Sequence, residues 1–424
     1  MMVTSLLHDI KMSPTAFHAV ETLRQKLLEN GYQPLHRGES MVPGGKYFVT
    51  PHGSSLIAFR LPQSAPTGFM ITASHADSPC FRIRDKAELT GGDCVRLSAE
   101  RYGGMLNDSW LDRPLSIAGR VTVRTEGGVR TELVDFRKDM VVIPRLAIHM
   151  NREANNGYKY DPVRDLTPLY GLASSAGQFN AQLAKELSCA EKDILSTDLI
   201  IYNNQDGFVW GPAEEFLSAP RLDDLGCVFT CTDAFLRSKN TDTVPMLCVF
   251  DNEEIGSETK QGAAAATLSD LLREIALAVH ADPGAMLDNS LMLSCDNGHA
   301  RHPNRPEMAD PNEAPVLGGG VVIKHSPRYA TDGLSAAVFA EICRRADVPV
   351  QHYANRPDMA GGSTLGNIAD TKTPVSTVDI GMAQLAMHSC LETLATADVT
   401  HFTDAVTAFY NTALHVEDNT VKIL

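Results

Sequence analysis

The sequence predicts an α/β protein: a mostly parallel sheet sandwiched by helices, interrupted by an inserted β-rich domain. Three observations lead there. After Pro220, helical and strand-like patterns alternate, as they do when a parallel sheet is covered on both faces. Before about residue 75, strand-like runs supply further members of the same sheet. Between residues 81 and 212, short alternating runs dominate and only one segment has a good helical period.

The elements follow in order. Residues 14–30 read as a helix, with Ser13 as N-cap, Pro14 in the first turn, Phe17, Val20, Leu23, Leu27 and Leu28 at helical spacing, and Gly31 ending it. Strands are expected at 46–50 and 54–59, separated by a Pro51-His52-Gly53 turn, and a buried strand at 68–73. In the β-rich region, 116–124 and 129–134 flank Gly127-Gly128 as a hairpin, and 177–187 is the one helix. Beyond it, helices are expected at 224–237, 268–279 and 334–345, and strands at 245–250, 291–295, 321–324, 349–353 and 375–380. Residues 1–85 and 213–424 thus form one domain, and 86–212 the insertion.

Composition narrows the function classes. A chain of 424 residues has the length of two or three domains, or of one large domain with an insertion. Its 43% hydrophobic residues suffice for a globular core. A net charge of −15 repels phosphate backbones and anionic lipid, so nucleic acid is not an expected partner. The first eleven residues lack a basic segment followed by an apolar one, and no run approaches a membrane span, so a cytoplasmic protein without membrane contact is expected. Nine scattered cysteines without a Cys-x-x-Cys pair fit a reducing compartment and read as small buried hydrophobes.

Acid and imidazole groups cluster just past the ends of expected strands, where open α/β sheets place their ligands. Ser74-His75-Ala76-Asp77 follows one strand, Asp251-Asn252-Glu253-Glu254 a second and Asp296 a third, while Met387-His388-Ser389 comes shortly after a fourth. Singly, each is an ordinary cap or surface group. Together, two imidazoles and several carboxylates without cysteine pairs suit Zn²⁺, Mn²⁺ or Co²⁺, and a dinuclear site also needs a bridging carboxylate. Asp223, in Pro220-Arg221-Leu222-Asp223-Asp224, offers the bridge from a helix N-terminus, although an N-cap is its bland reading. Adjacent Glu253 and Glu254 point in different directions, which lets one bind metal and the other act as a general base. Asp77 has the spacing of a carboxylate that orients a metal-binding imidazole, and is counted with Glu253 among the expected catalytic residues.

These stretches, together with Trp110-Leu111-Asp112-Arg113, Ile143-Pro144-Arg145-Leu146-Ala147-Ile148-His149, Asp296-Asn297-Gly298-His299-Ala300 and Gln384-Leu385-Ala386-Met387-His388-Ser389, resemble the aspartyl aminopeptidase family of dinuclear metallopeptidases over nearly the whole chain. The resemblance implies a zinc-peptidase fold, one metal held by His75, Asp223 and Asp296, another by Asp223, Glu254 and His388, and Glu253 as base. It also implies that the insertion builds dimer contacts, that His149 reaches a neighbouring subunit's active site, and that the dimers assemble into a dodecamer. Two departures stand out: Arg145 occupies a position where eukaryotic members tend to carry His, and Asn297-Gly298 replaces bulkier residues.

Other signals carry bland readings beside functional ones. His299 is kept as a substrate contact, and His302 as a surface or capping residue. Lys324, at the end of an expected strand, can bind a substrate carboxylate or be a solvated terminal lysine. Gly361-Gly362-Ser363-Thr364-Leu365-Gly366 is either an anion-binding loop or a tight turn. Cys227 and Cys231 share a helix face and read as core. No Gly-x-Ser-x-Gly, His-Glu-x-x-His, Walker or Gly-x-Gly-x-x-Gly motif competes. The resulting expectation is a zinc aminopeptidase with two ions per subunit, Mn or Co being alternatives. It removes N-terminal Asp or Glu from short peptides, with Glu253 as base and His149, His299 and Lys324 contacting substrate. The rivals are a neutral-residue aminopeptidase, an amide deacylase, and a non-catalytic metal-stabilised scaffold. The intact Glu253 argues against the scaffold, since a structural metal needs no base.

Overall fold

A computed structural model describes residues 2–359, 361–362 and 364–424. Its largest sheet has nine strands, in the order Gln33–Pro34, Lys46–Val49, Leu56–Arg60, Val244–Phe250, Phe69–His75, Leu291–Cys295, Ser376–Gly381, Val321–His325 and Val350–Ala354. The four strands from Val244–Phe250 to Ser376–Gly381 run parallel. Leu56–Arg60 and Val321–His325 each join this centre antiparallel. The sheet is therefore mixed with a parallel centre.

Val244–Phe250, Phe69–His75 and Leu291–Cys295 are buried at every residue, which is why they read as largely apolar runs. Alternate side chains feed two cores. Met70, Leu247 and Leu293 pack on one face with the helices Ala16–Glu29, Leu222–Arg237, Gly333–Arg345 and Thr396–Tyr410. Ile71, Met246 and Met292 pack on the other with Thr267–Ala278.

A six-stranded sheet is antiparallel throughout and has a core of its own, including Leu183 of the helix Gln178–Glu186. It leaves the main sheet at Cys80–Leu89, five residues beyond His75, and returns through Ile194–Tyr202. A five-stranded sheet ordered Phe208–Trp210, Phe216–Ala219, Glu392–Ala395, Ala383–Leu385 and Gly298–His299 joins segments that are distant in sequence. Among the described residues, no helix is long and apolar enough to cross a membrane. All nine cysteines are free and seven are buried, Cys227 and Cys231 in the core.

Several boundaries differ from the sequence reading. The first long helix is Ala16–Glu29, capped by the Thr15 hydroxyl, which accepts from the His18 N–H. Ser13 and Pro14 lie before it, because Thr15 is the residue with extended backbone and an oxygen in reach of the first turn. A helix Met2–Lys11 precedes it and buries Leu6 and Ile10. Phe69–His75 continues through His75, so that residue ends its strand and does not follow it.

Candidate metal centre

The site lies where three loops leave the parallel centre of the sheet and meet two loops from the five-stranded sheet. His75 ends Phe69–His75, Glu253 and Glu254 open a single 3₁₀ turn after Val244–Phe250, and Asp296 follows Leu291–Cys295. Phe216–Ala219 leads to Asp223, while His388 lies between Ala383–Leu385 and Glu392–Ala395. Asp223 stands in the first turn of Leu222–Arg237 with non-helical dihedrals and caps nothing, so the N-cap reading does not hold.

Asp223 faces two imidazoles at once, with His75 Nε2 3.5 Å from its Oδ1 and His388 Nε2 3.4 Å from its Oδ2. His388 Nε2 is also 3.4 Å from Glu254 Oε1. Asp223 Oδ1 and Glu254 Oε1 are buried without a hydrogen-bond partner. Bonds of about 2.0–2.1 Å to a tetrahedral ion separate neighbouring ligand atoms by about 3.4 Å, so the spacing fits donors arranged around a cation. Three groups of donor atoms lie within 4.8 Å of one another: His75, Asp223 and Asp296; Asp223, Glu254 and His388; and His75, Glu253 and Glu254. The first two are the expected ligand sets, and the third shows Glu253 within reach of both.

The electrostatics fit the same donor chemistry. Burial pushes Glu254 well above the usual carboxylate range, and Asp223 adds repulsion. Burial pushes Asp223 up as well, but His388 and His75 hold it below that range. Burial raises Asp296 against the pull of Lys324. Glu253 is pushed up to about 7, chiefly by burial. So many buried carboxylates call for positive charge beyond Lys324 and the two histidines.

Asp77 acts through its neighbours. Its backbone carbonyl lies 3.0 Å from His75 Nδ1 and its Oδ1 3.4 Å from the same nitrogen, which leaves Nε2 to face Asp223. Its two oxygens accept from the Glu253 and Glu254 N–H groups at 3.1 and 3.2 Å, and Oδ2 also accepts from the Tyr102 hydroxyl at 2.7 Å. One carboxylate thus orients the imidazole and fixes the Glu253-Glu254 turn. Asp77 was expected to be catalytic; these contacts describe a positioning residue. The loop after Cys94–Tyr102 completes the site from the insertion, where His388 Nδ1 contacts the Gly104 carbonyl. Gly103 has a φ of +73°, which L side chains rarely adopt, and a Cβ there would lie 3.1 Å from Glu254 Cβ and press on that residue.

A cavity of about 260 Å³ opens in front of these groups, lined by His75, Asp223, Glu253, Asp296, His299, Lys324 and His388, with Tyr329, Tyr353 and Thr364. Lys324 is 2% exposed and lies 3.3 Å from Asp296 Oδ2, so the solvated-lysine reading is wrong: the strand continues to His325 and turns the lysine inward. His299 is open to the cavity. His302 is exposed and its Nδ1 accepts from the Asn304 N–H at 3.2 Å, a local turn contact. His149 lies on an exposed turn and does not line the cavity of its own chain. That turn follows a loop anchored by Asp112, which accepts from the Arg145 N–H at 2.8 Å and pairs with its guanidinium at 3.1 Å. Asn297 is buried and structural, donating to Leu222 O and Gln384 Oε1 and accepting from the Met382 N–H. In the glycine-rich loop Ser363 is outside the described residues, whereas Thr364 donates to buried Asp379 at 2.5 Å. A second cavity, of about 310 Å³, touches Asp77, Asp223 and Glu392 but none of Glu253, Glu254, Asp296 or His388.

Sequence reading missed three buried acids around this centre. Asp224 accepts from the His75 N–H at 3.1 Å. Asp379 accepts from the Ala330 N–H and the Thr364 hydroxyl, which fixes a wall of the cavity. Glu392 accepts from the Asp223 and His388 N–H groups. Asp224 at least lies within a quoted motif, although no role was read for it, whereas the other two lie on strands with no local signal.

The Aminopeptidase I zinc metalloprotease (M18) family pattern matches residues 10–410. A probable M18 family aminopeptidase 2 of Clostridium acetobutylicum is 40% identical over 422 residues, covering 96% of this chain and 98% of the relative. One of Pseudomonas entomophila is 40% identical over 419 residues, covering 96% and 97%. The cryo-EM structure of the Ape4 and Nbr1 complex matches with a TM-score of 0.93 at 30% identity, covering 97% of this chain and 85% of that one. The S. cerevisiae mApe1 dodecamer matches at 0.84 and 27%, covering 96% and 95%. With the matched pattern spanning nearly its full length, the chain belongs to the M18 family of zinc metallo-aminopeptidases.

Proposed function

We propose that this aminopeptidase holds two zinc ions and removes N-terminal Asp and Glu from short peptides, with Glu253 as its general base. The observation that carries the reading is the convergence of both three-ligand groups on Asp223, beside Glu253, in one cavity. His75, Asp223 and Asp296 would hold one ion, and Asp223, Glu254 and His388 the other. Zinc, when bound, lowers the pKa of water and polarises a carbonyl. Glu253 takes a proton from the attacking water and passes it to the leaving amine. Asp77 fixes the turn that carries Glu253 and Glu254 through their N–H groups.

An acidic side chain entering this cavity needs a cationic or donor partner, or it is left unpaired at a cost of several kcal/mol. Lys324 and His299 line the cavity and supply such groups. The surface charge of −15 opposes acidic substrates at long range, but beyond about 8 Å it is screened at physiological salt, so the local walls dominate. The wild type is expected to show a higher kcat/KM for Asp and Glu p-nitroanilides than for Leu and Ala ones, and Lys324→Met to narrow or reverse that order. Because Lys324 also contacts Asp296, zinc content is measured alongside. A wild type that favours Leu removes the acidic preference and leaves the aminopeptidase standing.

The assembly follows the same reading: dimers joined through the β-rich insertion, expected at 86–212 and with its sheet beginning at Cys80, combine into a dodecamer, and the S. cerevisiae mApe1 is itself a dodecamer. The exposure of His149, with Leu146, Ile148 and Met150 beside it, supports a role across a subunit boundary. Co-assembling inactive Glu253→Gln chains with inactive His149→Ala chains is expected to restore part of the activity. No recovery in verified mixed oligomers would count against shared sites.

A further inference from the structure

Glu392 opens the strand Glu392–Ala395, is 2% exposed, and has a carboxylate that spans two loops. Its Oε2 accepts from the Asp223 N–H at 2.9 Å and its Oε1 from the His388 N–H at 2.7 Å. We propose that Glu392 is a positioning residue that fixes Asp223 against His388 and thereby sets the affinity of the centre for the ion those two share with Glu254. The inference rests on reading Asp223 and His388 as ligands of one ion.

The backbone around both ligands explains why a carboxylate is needed. Asp223 stands in the first turn of its helix, where no backbone N–H has an intrahelical acceptor, and its φ of −87° and ψ of 106° are themselves non-helical. His388 has a φ of +65° and Ala386 one of +57°, left-handed conformations that a non-glycine residue keeps only when its surroundings impose them. The N–H groups of the two ligands, that of Asp223 buried and that of His388 partly so, thus share one acceptor pair. The sheet delivers that pair: Glu392 sits opposite Ala219, so the strand before Asp223 and the strand after His388 are hydrogen-bonded neighbours. One oxygen then serves each loop, and the separation of the two ligands is set by the width of a single carboxylate.

Glu392→Gln keeps the shape but turns an NH₂ toward one of the two N–H donors. The assembled wild type and variant are stripped with a chelator, checked for size and circular dichroism, and titrated with Zn²⁺ against a chromophoric competitor. The wild type is expected to take up two ions per chain. In the variant, the dissociation constant of one ion is expected to rise about 10–100-fold, the range for losing a group that orients a ligand, with kcat recovering at raised Zn²⁺. Thr393→Val perturbs the same strand by removing the 2.8 Å contact to Ser218, and is expected to leave both constants unchanged. Unchanged constants in Glu392→Gln, or an equal shift in Thr393→Val, overturn the positioning role. A wild type that takes up no zinc overturns the ligand reading beneath it instead.

Discussion

Glu253→Gln is expected to lose at least about 10² in turnover, the lower range for removing a general base, while keeping its full zinc content. The two glutamates share one short turn yet serve different partners: Glu254 Oε1 meets His388, whereas Glu253 borders the cavity. Gln preserves the volume of the side chain and the Asp77 contact to the backbone N–H, so nothing that fixes the neighbouring Glu254 is removed. Metal analysis and kcat on the same preparation separate the two roles. Near-normal turnover would contradict the assignment, and loss of zinc would make Glu253 a ligand.

Asp223→Ala is expected to have the larger effect, losing most bound metal and more than the ~10² in turnover assigned to the base. Each oxygen of Asp223 faces a different imidazole, so one substitution opens both ligand sets. It also leaves His75 Nε2 without its facing carboxylate and His388 Nε2 with Glu254 alone. Elemental analysis of the folded variant tests the point directly, since a chain that keeps two ions has no bridge at Asp223.

The parts of this protein legible in its sequence share a physical origin. Strands buried on both faces, such as Phe69–His75 and Val244–Phe250, are largely apolar runs, and the polar residues that end them mark the edge of the sheet where ligands can bind. His75, Glu253, Glu254 and Asp296 were therefore visible as a set, and Asp223 and His388 through motifs. The supporting acids were not. Glu392 meets Asp223 169 positions away in sequence, and on a strand a buried acid looks like one on a solvated face. The same holds for Asp379, whose partner Thr364 is on another loop. The helix Thr396–Tyr410 escaped notice because it is largely buried and rich in threonine, which gives it neither a clean polar stripe nor high helix propensity. Lys324 was misjudged in its bland form, since one further residue of strand turns a terminal lysine into a wall of the cavity.

The central claim is that one aspartate joins two zinc sites beside a free glutamate. Crystals of the wild-type enzyme, measured on either side of the zinc absorption edge, test it most directly. Two anomalous peaks per chain are predicted, both bonded to Asp223, one also to His75 and Asp296 and the other to Glu254 and His388, with Glu253 bonded to neither. A single peak, or a peak bonded to His75, Glu253 and Glu254 in place of the pair, would contradict it.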